Sequence, residues 1–231
     1  MDAQLLEDRE LAFSCRAYLY KLFSHLYAEP LKAELLGILW DEATAVSYAA
    51  LCGEVLGQAF KDWLDRIQEQ VALNQGPWLE EADKHCKRLF EGPGSLLAAP
   101  WASVYQAENP ILFQASTLAV RAYYQAEGLA VEAGDSNEPD DHISLELAFM
   151  AHLAEKGKDF MGEEALAVDG QAHQFIREQL LSWLPAFKDR VEAAGLGDFY
   201  GPMTAFMVAF LEADEAYLSE LLEKGAYVWG I

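Results

Sequence analysis

Residues 11–30 read LAFSCRAYLYKLFSHLYAEP, and this stretch decides the fold class. Leu11, Cys15, Leu19, Leu22, Phe23 and Leu26 recur at steps of three and four. That spacing lays one apolar stripe along a helix, and Pro30 stops it because proline lacks the N–H that a further turn needs. The same periodicity spreads outward along the chain. A weaker pattern runs through Leu31, Leu35, Leu36, Leu39 and Trp40, and a third through Leu51, Val55, Phe60, Trp63, Leu64, Ile67 and Val71, with Gly76-Pro77 as its break.

Another helix is expected from about Trp78 to Phe90. The prolines and glycines from Gly92 to Pro110 then interrupt the pattern, leaving an irregular segment that still carries Leu96, Leu97, Trp101, Val104 and Tyr105 and should therefore be ordered and packed. Helical periodicity returns over Ile111 to Gln125, and again from Pro139 through Ile143, Leu147, Met150 and Leu153. Two more helices are expected, Gln171 to Ala194 with a break or kink at Pro185, and Phe199 to about Lys224. No convincing strand pair, internal repeat or linker interrupts the series. The expectation is an all-α, single globular multi-helix bundle spanning 1–231, with the 91–110 connection as a candidate hinge.

Bulk composition narrows the function. Sixteen Lys and Arg against 38 Asp and Glu leave a net charge of −22, which repels nucleic acid and anionic membrane surfaces. Cys15, Cys52 and Cys86 form no CxxC pair and suit a reducing compartment. No apolar run approaches the roughly 18 to 20 residues of a membrane span, and residues 1–10 lack the basic start and apolar run of a secretory signal. A soluble, cytoplasmic protein is expected, without membrane insertion.

The densest polar cluster is Asn137-Glu138-Pro139-Asp140-Asp141-His142, at a loop-to-helix junction with Glu146 one turn later. Three readings compete for it. Acids in a first helical turn can simply cap free N–H groups and complement the helix dipole. Asp141 and His142 could serve a metal or act as a base, although the HExxH, CxxC and GxSxG spacings are absent. Carboxylates beside an apolar groove could instead bind the arginines of a peptide. Spacing alone does not separate these. His25, His85, His152 and His173 stand without paired ligand spacing, and no GxxxxGK[ST] loop supports nucleotide binding.

An ordered series of motifs carries a resemblance that does separate them. Arg88-Leu89-Phe90 with Gly92-Pro93 is followed by Pro100-Trp101-Ala102-Ser103-Val104-Tyr105, then by Leu112-Phe113, Ser116-Thr117-Leu118 and Arg121, and finally by Asn137-Glu138-Pro139, Asp141 and His142. The series resembles the TorD/DmsD family of twin-arginine proofreading chaperones, the redox enzyme maturation proteins, and leans towards the DmsD branch. The resemblance implies an all-α cytoplasmic chaperone with no catalytic residues, metal or cofactor. Its partners would be the twin-arginine leader and the apo-form of a molybdopterin-dependent oxidoreductase subunit, with the Tat translocase as a further partner.

By the same resemblance Leu89, Phe90, Trp101 and Tyr105 would line or support a leader-binding groove. Asn137, Glu138, Asp141 and His142 would form its polar end, and Pro139 would shape the turn. The chain departs from DmsD-like sequences at Cys86 and Gly94, which stand where those carry tryptophans, and at Gln114, which replaces a glycine. A monomer is expected, with a domain-swapped dimer as the variant that the hinge would permit. Two alternatives remain: an assembly chaperone of the nitrate-reductase type, and a metal-dependent hydrolase centred on Asp141 and His142.

Overall fold

The structure is a computed structural model that describes residues 3–92, 94–106, 115–130 and 138–229. Of the stripe expected on the first helix, Cys15, Leu19, Leu22, Phe23 and Leu26 are buried on α1 (Ala3–Ala28) together with Phe13, whereas Leu11 is exposed. Its main partner is α6 (Ile143–Asp159), which buries Ile143, Leu147, Phe149, Met150 and Leu153 on more than one face and so runs through the interior. Fully burying an apolar side chain of this size contributes about 1.5–3 kcal/mol. The α1 to α6 contact is therefore the backbone of the core.

After α2 (Ala33–Leu39), α3 spans Glu42–Cys86 but is broken twice. Gly53 adopts φ 81°, a conformation open to glycine, and the chain folds back so tightly that a Cβ on Gly57 would lie 2.5 Å from the Ala49 Cβ. The second break falls at Asn74 rather than at Gly76-Pro77. Pro77 cannot donate to the carbonyl four residues back, so the helix gives way just upstream and the proline sits in the first turn of the next piece. The helix then ends in a π-helical turn, Lys87–Glu91, that turns Leu89 and Phe90 into the core.

Of the connection expected to be irregular, residues 94–106 contain the single short helix α4 (Ser103–Gln106). The described part of the helix expected over 111–125 is α5 (Ala115–Ala126). Beyond α6 come α7 (Gly162–Phe175), a second π-helical turn at Ile176–Leu180, α8 (Leu184–Ala194) and α9 (Tyr200–Trp229). The helix expected over 171–194 is thus two, and the interruption expected at Pro185 is a break, with the proline in the first turn of α8.

Among the described residues there is no strand, and the fold is all-α as expected. A buried ion pair fastens the first helix to the last: Arg16 donates from Nη2 to Asp214 Oδ2 at 3.1 Å, and the Tyr20 hydroxyl donates to the same oxygen at 2.6 Å. Among the described residues, no single helix is long and apolar enough to cross a membrane.

Candidate functional site

Two of the segments singled out in the sequence meet in one isolated antiparallel bridge, Trp101 to His142. Ala102 N–H donates to the Asp141 carbonyl at 3.1 Å and Ile143 N–H donates to the Pro100 carbonyl at 3.0 Å. The bridge brings together residues that the chain separates by the whole of α4 and α5.

Asp141 is fully buried, and both carboxylate oxygens are occupied. Oδ2 accepts the Ser103 N–H at 2.8 Å and Oδ1 accepts the Thr117 hydroxyl at 2.9 Å. One carboxylate therefore caps the start of α4 and pins α5 beside it, satisfying donors that would otherwise be stranded. His142 caps α6: its Nδ1 accepts the Ser144 N–H at 3.2 Å and lies 2.7 Å from the Ser144 hydroxyl. Burial drives the imidazole pKa down to about 4, so at neutral pH the ring is uncharged. Pro139, also buried, shapes the turn by accepting the His142 N–H at 2.9 Å.

Above this frame lies a more open aromatic surface. Trp101 is half-buried, its ring edge-on to His142 with centroids 5.8 Å apart, and its indole N–H donates to the exposed Glu138 at 3.0 Å. Tyr105, also half-buried, packs on Trp183 at 5.3 Å, while the Arg190 guanidinium sits 4.6 Å from the Tyr105 ring centre in a cation–π contact. Gln106 holds the end of α4 by donating to the Ser182 hydroxyl at 2.6 Å.

Leu89 and Phe90 are not on this surface. Both are buried, and Phe90 contacts Tyr27, Phe187 and Tyr200. Phe187 in turn touches Tyr105 and Trp183, so Phe90 backs the aromatic wall through one intervening ring. Asn137 lies outside the described residues.

Several participants were not singled out from sequence for a role. Asp140 forms an ion pair with Arg121 Nε on α5, and its carbonyl accepts the Tyr124 hydroxyl at 3.0 Å. Glu146 is fully buried, and its Oε2 accepts the Trp183 indole N–H at 3.1 Å. Burial, with the charge of Asp141 adding to it, holds this carboxyl well above the usual carboxylate range. Its place one turn after His142 was the only sequence signal. Thr117 and Arg121 belonged to the motif series, but nothing in their spacing names their partners.

Among the described residues, no group of three or more His, Cys, Asp and Glu is arranged to hold a metal ion. Asp141 and His142, the pair on which the hydrolase alternative rests, are each turned to separate capping tasks.

Residues 47–189 match the family model described as nitrate reductase delta subunit. The chain is also 33% identical over 222 residues to "Chaperone protein TorD" of Vibrio cholerae serotype O1 strain El Tor Inaba N16961, covering 95% of this chain and 99% of the relative. It belongs to the TorD/DmsD family of chaperones. The protein of the same name from Photobacterium profundum is 33% identical over 162 residues (70% of this chain, 72% of the relative), and that of Shewanella pealeana is 26% identical over 215 residues (90% and 91%). These relatives carry the TorD name, and the expected leaning towards DmsD is not among what they show. As a member of the TorD/DmsD family the chain is a chaperone and not an enzyme, and the bridge at Trp101 and His142 is the architectural centre of its candidate site.

Proposed function

We propose that this chaperone binds the twin-arginine leader, and with it the precursor, of a molybdopterin-dependent oxidoreductase of the DMSO or TMAO reductase type in the cytoplasm, holding it until cofactor insertion and export. The observation that carries this reading is the half-buried Trp101, whose indole N–H donates to the exposed Glu138 carboxylate in the turn that also carries Asp140. A leader offers arginines followed by an apolar stretch. A receptor for it needs carboxylates next to an apolar wall, the arrangement of helix-in-groove and acidic-motif recognition. Trp101 and Tyr105 supply rigid apolar area at low entropic cost.

Asp141, His142, Pro139, Leu89 and Phe90 serve this surface from beneath, holding the turn and the wall in place. The name of the matched family model favours a second reading, an assembly chaperone for a nitrate-reductase-type subunit retained in the cytoplasm. The working unit is taken as a monomer, with the 91–110 connection as the place where a swapped dimer would open and the Tat translocase as the partner at hand-over.

Surrender of the client requires only moderate affinity; a Kd of about 1 μM, near −8 kcal/mol, holds a leader without trapping it. Titration of the purified protein with fluorescent twin-arginine leaders from molybdoenzymes of the same cell, with a scrambled leader as control, tests the proposal. Saturable binding of one leader at micromolar Kd or tighter is expected. Binding of an apo-oxidoreductase subunit without any leader dependence would favour the second reading.

A further inference from the structure

The carboxylates of the turn differ in what holds them. Asp141 is sealed, with both oxygens taken by the Ser103 N–H and the Thr117 hydroxyl. Glu138 is exposed and accepts a neutral indole N–H from Trp101. Asp140 is paired with a guanidinium: Arg121 Nε reaches its Oδ2, and the Arg121 side chain is 44% exposed whereas that of Asp140 is 9% exposed. The acid is therefore set into the protein while the cation lies over it from the solvent side.

We infer that Asp140 is the receptor for one guanidinium of the bound leader, and that Arg121 is a resident stand-in displaced when the peptide arrives. The inference rests on the leader-binding reading above and assigns it an anchoring residue. Replacing one guanidinium by another keeps the buried carboxylate paired throughout, so the exchange never leaves an uncompensated charge in the protein. Arg121 loses little, because a partly exposed cation that moves into water recovers its hydration.

The stand-in also sets selectivity. An arginine alone only trades places with Arg121 and gains almost nothing. A peptide that adds apolar contact on Trp101 and Tyr105 obtains a net gain from the same exchange. Lysine is a poorer substitute, since a point-like ammonium cannot offer a carboxylate the paired donors of a planar guanidinium.

The test is a titration of the same fluorescent leader against the wild type, Arg121→Ala, Asp140→Asn and the double variant, each checked for folding by thermal melting. A parallel series uses a leader whose arginines are replaced by lysine. Arg121→Ala should bind the leader more tightly, by about fivefold, the size of a partly exposed ion pair. Asp140→Asn should weaken it by roughly tenfold or more, the loss of a charge-assisted hydrogen bond, and should erase the preference for arginine over lysine. In the double variant the tightening should vanish.

A purely structural ion pair predicts weaker binding from Arg121→Ala, never tighter. Unchanged or weakened binding by that variant, with the wild type still binding the leader, would overturn the stand-in and leave the leader-binding reading intact. The same holds if arginine preference survives in Asp140→Asn. Failure of the wild type to bind any leader would overturn both.

Discussion

The indole N–H of Trp101 donates to the Glu138 carboxylate at 3.0 Å, across 37 residues of chain, and the same tryptophan meets His142 edge-on. One accessible side chain thus joins the loop before α4 to the turn before α6. Removing the ring should cost recognition more than stability. Trp101→Ala is expected to weaken leader binding by about tenfold or more, as for an aromatic anchor, in a protein that still melts cooperatively. Fluorescence titration paired with a thermal melt measures both, and Glu138→Gln, which keeps an acceptor for the indole, should have a smaller effect.

Asp141 behaves differently because it is sealed within the protein. Asp141→Ala strands the Ser103 N–H and the Thr117 hydroxyl, each at a cost of about 1–3 kcal/mol, so a total loss of roughly 2–5 kcal/mol is expected in urea denaturation. Any fall in leader affinity in this variant would come through the loosened turn. Thr117→Val removes one of the two donors and should lose less.

His142 and Glu146 make opposite contributions to the pH dependence of stability. His142 is lowered from its ordinary 6.5 to about 4, so between these values the unfolded chain binds the proton that the folded chain refuses. Its contribution is present above pH 6.5 and is lost as pH falls towards 4, amounting to roughly 3 kcal/mol in full. His142→Asn, which retains a capping acceptor, should flatten this part of the profile when unfolding free energy is measured from pH 7.5 to 4.5.

Glu146 is raised, so the folded chain keeps a proton that the unfolded chain releases above about pH 4.5. Its contribution is complete below that value and declines as pH rises. Glu146→Gln preserves an acceptor for the Trp183 indole N–H and removes the ionisation. The variant is expected to gain stability relative to wild type at pH 7 and to lose that advantage near pH 4, as read by denaturation at the two pH values.

Gly57 tests the close turn in α3. A methyl group there would meet the Ala49 Cβ at 2.5 Å and its Cα at 2.7 Å, and backbone cannot move aside cheaply. Gly57→Ala should destabilise by about 1–3 kcal/mol, the usual cost of overpacking, in chemical denaturation.

The helical class, the stripe on α1 and the apolar content of α6 were legible because periodicity records which face is buried. The break at Gly53 was not: Leu51 and Val55 continue an apolar phase on both sides of it, and glycine permits a positive φ without requiring one. The start of α7 was hidden because its buried positions are Ala165, Val168, Asp169 and Ala172, small or charged residues that give a weak stripe, and the charge of Asp169 is met by distant Arg9. The motif order named two segments that meet at the Trp101 to His142 bridge, but it could not distinguish the accessible Glu138 from the sealed Asp141. An acid in a helix's first turn reads the same whether it faces water or reaches 38 residues back to Ser103 and 24 back to Thr117.

The complete enclosure of Asp141 carries a consequence for how such chaperones diversify. The residue that helps to mark the chain as a member of its family is occupied in holding the turn, whereas Trp101, Glu138 and Arg121 lie where substitutions can be absorbed. Client preference can therefore drift along the rim while the signature beneath stays fixed, and two chains with the same Asp-His pair can serve different enzymes.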